Sequence, residues 1–366
     1  MRKNVLFIFG CILCLVKEIY RKENDMVTKI GLDLGYANIT LSDQNSEIFR
    51  EPSVALIAKD TRRIISVGNA AMSFENTMPD NALLVRPFKN GLLFDYQITS
   101  SVIKCALNEV TSSDRTRCII GIPSDFVPKQ EKELFDMLNQ AGVTDCFAVN
   151  RAVAALIGAG YSPKINAISV NVGASSTEIA LFNEGNITNV TRADVGGEDF
   201  DIAVKDYILT QGDVNVSLSV ARAIKERLGS VWRGKEPESI DIEGTLALTG
   251  NKVRMTLNTD DIVGVFEKPL RKLIMAVADA IKKIPLDNVE KTFENGVVLT
   301  GGGAMIFGLE KMMSKVLGVP VTKPRDAIDS VAKGLSIINS FIPVKGRATN
   351  KNITYSIAKY YEDTKK

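Results

Sequence analysis

Three strand ends in this chain run into bends built on glycine: Asp33-Leu-Gly35, Asn171-Val-Gly173 and Gly301-Gly302-Gly303 after Thr300. Small residues at such bends expose backbone N–H groups, which can approach phosphate oxygens closely. A carboxylate at a strand end, here Asp33, can hold magnesium through water. A single glycine bend after a strand is ordinarily only a turn. Three in this order describe a cleft suited to a nucleoside triphosphate.

The bends need strands to carry them. Residues 27–42 read as a strand, a polar bend and a second strand, and residues 167–182 repeat that pattern about half a chain later. The repeat predicts two similar α/β domains facing each other, each giving one loop to a shared cleft, the usual place for a ligand. Between the repeats, residues 117–123 read as a buried strand and residues 129–141 as a helix. Residues 150–160 form another helix, with Ala152, Ala154, Ala155, Gly158 and Ala159 making one side small enough for close packing under the cleft. Later, a helix opens at residue 194 and runs through 207, and residues 218–228 form a second. Residues 239–257 read as a hairpin in a smaller inserted subdomain. Helices over 269–283, 304–317 and 327–341 and a short strand over 296–300 complete the fold before a polar tail.

Composition narrows the chemistry. The chain of 366 residues contains no histidine, so Ser-His-Asp and Cys-His relays, an HExxH zinc helix and a His-ligated haem are excluded. A formal net charge of +2, with no long basic run, gives no electrostatic reason to expect a nucleic-acid partner. Cys105, Cys118 and Cys146 stand singly in apolar or strand-like surroundings and read as reduced thiols acting as small hydrophobes. Cys11 and Cys14 form a CxxC, but inside an apolar run with no second pair, which argues against a redox or metal role.

The first 25 residues stand apart. Arg2 and Lys3 precede an apolar run from Val5 to Val16, which is followed by a charged stretch to Asp25. The run is shorter than the about 20 residues a spanning helix needs, and no small-x-small cleavage site follows. It reads either as a short membrane-inserting anchor or as an untranslated extension ahead of a true start at Met26. The second is favoured, because Met26 stands just before the strand that opens the fold.

The order and wording of the loops resemble the actin-like ATPase superfamily, and within it the MreB family of bacterial actins. Asp33-Leu-Gly-Tyr-Ala-Asn38, Glu51-Pro-Ser-Val54, Val67-Gly-Asn-Ala70, Arg86-Pro-Phe-Lys-Asn-Gly91, Ala155-Leu-Ile-Gly-Ala-Gly160, Leu299-Thr-Gly-Gly-Gly-Ala304 and Asp329-Ser-Val-Ala-Lys-Gly334 all have similar text in that family. The likeness spans nearly all of residues 27–340. It implies an α/β actin-like ATPase fold, two similar domains around a nucleotide cleft, each with a smaller inserted subdomain. The implied division is 26–160, 161–325 with an insert at about 213–266, and 326–342 as a helix returning to the first domain, with 343–366 as a tail. ATP and magnesium are the implied cofactors. Their implied contacts are Gly35, Tyr36, Ala37 and Asn38; Gly173, Ala174, Ser175, Ser176 and Thr177; Gly196 and Gly197; Lys225 and Glu226 toward ribose and adenine; and Gly301, Gly302 and Gly303. Asp33 is the implied partner of a magnesium-bound water. For Lys225 and Glu226 a merely solvated helix face is the equal alternative.

Two positions depart from the family pattern. The second phosphate loop normally starts with Asp and here starts with Asn171, which carries no charge to hold a cation or accept a proton. Where the family has a glutamate that orients the attacking water, this chain has Arg151, whose pKa above about 12 bars it from acting as a base. Arg151 either balances phosphate charge in place of magnesium or turns away to pair with an acidic neighbour. Both departures predict nucleotide binding with weak metal affinity and slow or absent hydrolysis.

By the resemblance, the expected role is a cytoplasmic, membrane-associated filament subunit. Its partners would be further copies of itself, the inner face of the cytoplasmic membrane and the cell-wall synthesis machinery, in control of cell shape. Alternatives are a regulatory paralogue that copolymerises with an active MreB, another bacterial actin for plasmid segregation or organelle alignment, and a chaperone-like or metabolic ATPase of the same fold. Membrane contact could come from the Val5–Val16 run or from Met72-Ser-Phe74, unless that loop is a partly buried core edge.

Overall fold

The computed structural model describes residues 27–341 apart from 44, 46–47, 76, 90–91, 94, 110–114, 163, 185, 285–286 and 288. The Val5–Val16 run, Cys11, Cys14, Met26 and the tail from 342 onward lie outside the described residues.

β1 (Thr28–Leu34), β2 (Asn38–Ser42) and β3 (Ile48–Pro52) form an antiparallel meander. β4 (Ala55–Ala58), β5 (Ile64–Val67) and β6 (Ala82–Val85) make a separate small sheet in the order β5-β4-β6. Helix α1 (Tyr96–Asn108) starts at Asp95, whose carboxylate accepts the N–H groups of Gln97 and Ile98. β7 (Thr116–Ile122), α2 (Pro128–Gln140) and β8 (Asp145–Asn150) follow. β7 pairs parallel to β1, and β8 parallel to β7, so the main sheet reads β8-β7-β1-β2-β3. The central strands are near-continuous apolar runs, as strands covered on both faces must be.

The second half repeats this plan. After α3 (Arg151–Gly158), strands β9 (Ala167–Val172), β10 (Thr177–Asn183) and β11 (Asn186–Ala193) form the same meander. α4 (Gly197–Gly212), β12 (Val214–Asn215), α5 (Leu218–Leu228), β13 (Ser239–Leu246) and β14 (Lys252–Asn258) come next, the three strands forming a small sheet of their own. α6 (Glu267–Ile281), β15 (Val297–Thr300), α7 (Leu309–Leu317), β16 (Val321–Thr322) and α8 (Ser330–Phe341) end the described fold. The sheet runs β11-β10-β9-β15-β16, with β15 parallel to β9 and β16 parallel to β15. Order and directions match the first sheet strand for strand, so the two hairpins recognised in the sequence are the visible part of a whole repeated sheet.

Each half has its own core, and a third cluster joins them. That third cluster packs Ala152–Ile157 of α3 against Val331, Leu335 and Ile338 of α8, with Ile119 of one sheet and Phe182 and Val298 of the other. Two glycines let the helices touch backbone to backbone. A Cβ on Gly158 would lie 1.8 Å from the Ser330 carbonyl oxygen, and one on Gly334 would lie 1.8 Å from that of Ala154.

Several expected boundaries shift. Residues 304–317 are not one helix: a single 3-10 turn over Gly302–Met305 is followed by α7, because Gly308 adopts φ 77° against Trp232. The helix expected from 194 begins at Gly197, where Asp199 accepts the Gly196 N–H at 2.8 Å, and runs on to Gly212. Asn150 ends β8 and caps α3 through Ala152 N–H. Met72 and Phe74 pack against the small cluster of Val54, Leu56, Ala71 and Ala82, so that loop is a partly buried core edge. Cys118 is fully buried, and burial pushes its thiol well above the ordinary range and that of Cys146 up to about 12, in keeping with unreactive thiols. Among the described residues no helix is long and apolar enough to cross a membrane.

Candidate functional site

The first two glycine loops are closed in the same way. Gly35 N–H donates to the Asn38 carbonyl at 2.9 Å, and Gly173 N–H donates to the Ser176 carbonyl at 2.9 Å. A side chain at Gly35 would run into the Asn38 carbonyl oxygen at 2.6 Å, which explains the glycine. Within each loop the intervening amides, Tyr36 and Ala37 in one and Ala174 and Ser175 in the other, have no partner among the described residues. These are the N–H groups able to take an anion.

The remaining sequence-predicted contacts are placed around these loops, several with their polar groups already spent. Thr177 donates its hydroxyl to the Val195 carbonyl at 2.7 Å. Gly197 N–H bonds Gly173 O at 2.9 Å and Glu198 N–H bonds Ala174 O at 2.7 Å, so the start of α4 braces the second loop with its amides. Gly301, at φ 84°, donates to Ala327 O at 2.8 Å and lies too close to Val172 O and Asn171 Oδ1 for any Cβ. Gly302 is open on the side where a Cβ would stand, whereas one on Gly303 would strike Val172. Lys225 is anchored: its Nζ lies 2.6 Å from Oδ1 of the buried Asp201 and 3.3 Å from Gly197 O, while Arg222 Nε holds the other Asp201 oxygen at 3.1 Å. Its amine ties α4 to α5, whereas Glu226 on the same helix is exposed.

Arg151 resolves its two readings in an unexpected way. It does pair with an acidic neighbour, but that neighbour is Asp33 itself, with Nε 2.8 Å from Oδ1. A second guanidinium nitrogen donates to the Leu34 carbonyl. The Nε and Oδ1 atoms are in ionic contact but misaligned for a hydrogen bond, and both are buried with no other hydrogen-bond partner. Asn171 is buried, with its Oδ1 3.4 Å from the Thr300 hydroxyl. The expected magnesium site through Asp33 does not fit this arrangement. Its carboxylate is in ion-pair contact with Arg151, and the matching position of the second loop is the uncharged Asn171.

Glu178 was missed in the sequence. It lies directly opposite Asn171 in the β9–β10 pair and is 2 % exposed. Its Oε2 accepts the Ser124 N–H at 3.2 Å and hydroxyl at 2.8 Å, tying the second half to the loop after β7. Its signal was a charged residue within the otherwise apolar run of β10. Burial pushes its carboxyl up, against the Arg151 charge and the Ser124 bonds that pull it down. Because the folded state holds the proton more tightly, this group stabilises the fold at low pH, and that contribution is lost as pH rises above the ordinary 4.5. Glu178→Gln removes the loss. Urea denaturation should therefore show the variant gaining on the wild type between pH 4.5 and pH 8; a constant difference would contradict it.

Tyr36 crosses from the first loop to the second half. Its hydroxyl donates to Glu198 Oε1 at 2.7 Å, and the Arg86 guanidinium stacks over its ring at 5.2 Å while donating to the Tyr36 and Ala37 carbonyls at 3.2 Å. Burial first, and then Glu198, push the phenol up to about 12, so it stays a donor.

Two sheets of identical order, joined through two closely packed helices and each offering one glycine loop, define an actin-like ATPase fold. The solved structure of MreB5 of Spiroplasma citri bound to ADP matches with a TM-score of 0.81, at 21% identity, over 86% of this chain and 96% of that one. The MamK double helical filament matches with a TM-score of 0.75, at 20% identity, over 87% of this chain and all of that one. Residues 27–344 match the model of the MreB/Mbl protein family, and the chain belongs to that family. It is 27% identical over 316 residues to the cell shape-determining protein Mbl of Bacillus cereus, covering 84% of this chain and 95% of that protein. It is equally similar to the cell shape-determining protein MreB of Escherichia coli K12, over 83% of this chain and 91% of that protein.

Proposed function

We propose that this chain binds ATP between its two halves and assembles with copies of itself into filaments that serve cell-shape control. The filaments lie at the inner face of the cytoplasmic membrane, beside the cell-wall synthesis machinery, and hydrolyse ATP slowly or not at all. The observation that carries the binding is the matched pair of glycine turns with unpartnered amides. The roles that the relatives' names carry support the rest: cell shape for Mbl and MreB, ADP for the Spiroplasma protein, a filament for MamK.

Impaired hydrolysis follows from Arg151, which cannot take a proton and holds Asp33. Glu178, a second carboxylate near Arg151, is buried, with one oxygen bonded to Ser124. The same altered cleft favours a second reading, a regulatory paralogue that copolymerises with an active MreB.

Sedimentation of the purified chain, with pellets viewed by electron microscopy, separates these. Filaments should form with ATP and with a non-hydrolysable analogue to the same extent. A folded protein that pellets with neither, yet enters filaments of an active MreB, would leave the paralogue reading standing and remove self-assembly.

A further inference from the structure

We propose that the cleft takes a nucleoside triphosphate without a divalent cation, Arg151 serving as a built-in positive charge. The inference rests on the reading that the cleft binds nucleotide, and deepens it.

Besides the nucleotide's phosphates, a magnesium ion in such a site is ordinarily held through one or two carboxylates. Asp33 is the one carboxylate at the end of β1, and its Oδ1 is in contact with Arg151 Nε at 2.8 Å. A metal-bound water would have to compete with a charge that is covalently part of the chain and only 12 % exposed. Asn171 offers no charge, and its Oδ1 already lies against Thr300. Arg151 is well suited to an anion. The guanidinium has five N–H donors in a rigid fork; one nitrogen is turned to Leu34 O and Nε is buried against Asp33 Oδ1, so the remaining nitrogen is the one that would meet an anion. It sits at the start of α3, against Gly121 and beside the first glycine loop, with the unpartnered Tyr36 and Ala37 amides just beyond Leu34. Relative to a glutamate and an aspartate at 151 and 171, the arginine raises the local charge by two units and the asparagine by one. That exceeds the two units one magnesium ion carries, so a bound magnesium would be surplus to the charge balance rather than required by it.

The test is a fluorescence titration of the full chain with a labelled, non-hydrolysable ATP analogue, in excess EDTA and in excess magnesium. Affinity is expected to agree within about threefold between the two conditions. Arg151→Gln, checked for folding by circular dichroism, should weaken binding in EDTA by about tenfold or more. The double variant Arg151→Glu, Asn171→Asp should bind only when magnesium is present. Wild-type affinity that falls tenfold or more in EDTA overturns the inference while leaving nucleotide binding intact. No binding in either condition overturns the nucleotide reading itself, and the inference with it.

Discussion

Gly334→Ala should destabilise the protein by about 3 kcal/mol or more, the upper end of what inserting one methyl group into a packed interior costs. On propensity alone the change should help, since alanine is favoured over glycine in a helix interior by about 1 kcal/mol. Packing decides the sign. The new Cβ would stand 1.8 Å from the Ala154 carbonyl oxygen, and this oxygen belongs to the backbone of α3, which cannot rotate aside as a side chain would. To restore a normal separation, α8 must lift from α3, which opens the cluster of Val331, Leu335 and Ile338 against Ala152–Ile157. Gly264→Ala is the control, because nothing lies within 4 Å of the added atom. Its urea midpoint should match the wild type or rise slightly, while that of Gly334→Ala falls steeply. Equal midpoints for all three would show that the helix contact is looser than described.

The double substitution Arg151→Glu, Asn171→Asp should raise phosphate release by about 100-fold or more, the range that a positioned proton acceptor contributes. Each change acts on a different part of the same step. Arg151→Glu frees Asp33 from its ion pair and puts a carboxylate at the start of α3, while Asn171→Asp restores charge at the head of the second loop. Neither single change should suffice. Arg151→Glu alone leaves the second loop neutral, and Asn171→Asp alone leaves Arg151 bound to Asp33. The measurement is steady-state phosphate release by wild type, both singles and the double. Brisk turnover by the wild type would end the case for an impaired ATPase.

Local patterns were legible in the sequence, and contacts between distant segments were not. The first two loops could be read because strand, bend and returning strand are adjacent, and the bonds that close them, Gly35 to Asn38 and Gly173 to Ser176, span three residues. The small face of α3 could be read from its alanines. That Arg151 meets Asp33 depends on β8 lying beside β7 and β7 beside β1, two parallel pairings that no short window contains. Lys225 was placed on the right helix, but its partner Asp201 sits on α4, and a buried aspartate in a polar stretch looks like any surface residue. The break at Gly308 was hidden because apolar residues continue at helical spacing on both sides, and only the Trp232 contact shows why no side chain fits there.

The bond from the Tyr36 hydroxyl to Glu198 bears on timing. It joins the first loop to the helix that braces the second, so the two loops cannot part until a half-buried hydrogen bond to a carboxylate is broken. Bonds of that kind contribute about 1.5–3 kcal/mol, enough to slow opening by about tenfold or more. On the reading proposed above, this rim bond would add to the grip of the loop amides in setting how long a nucleotide stays between the loops.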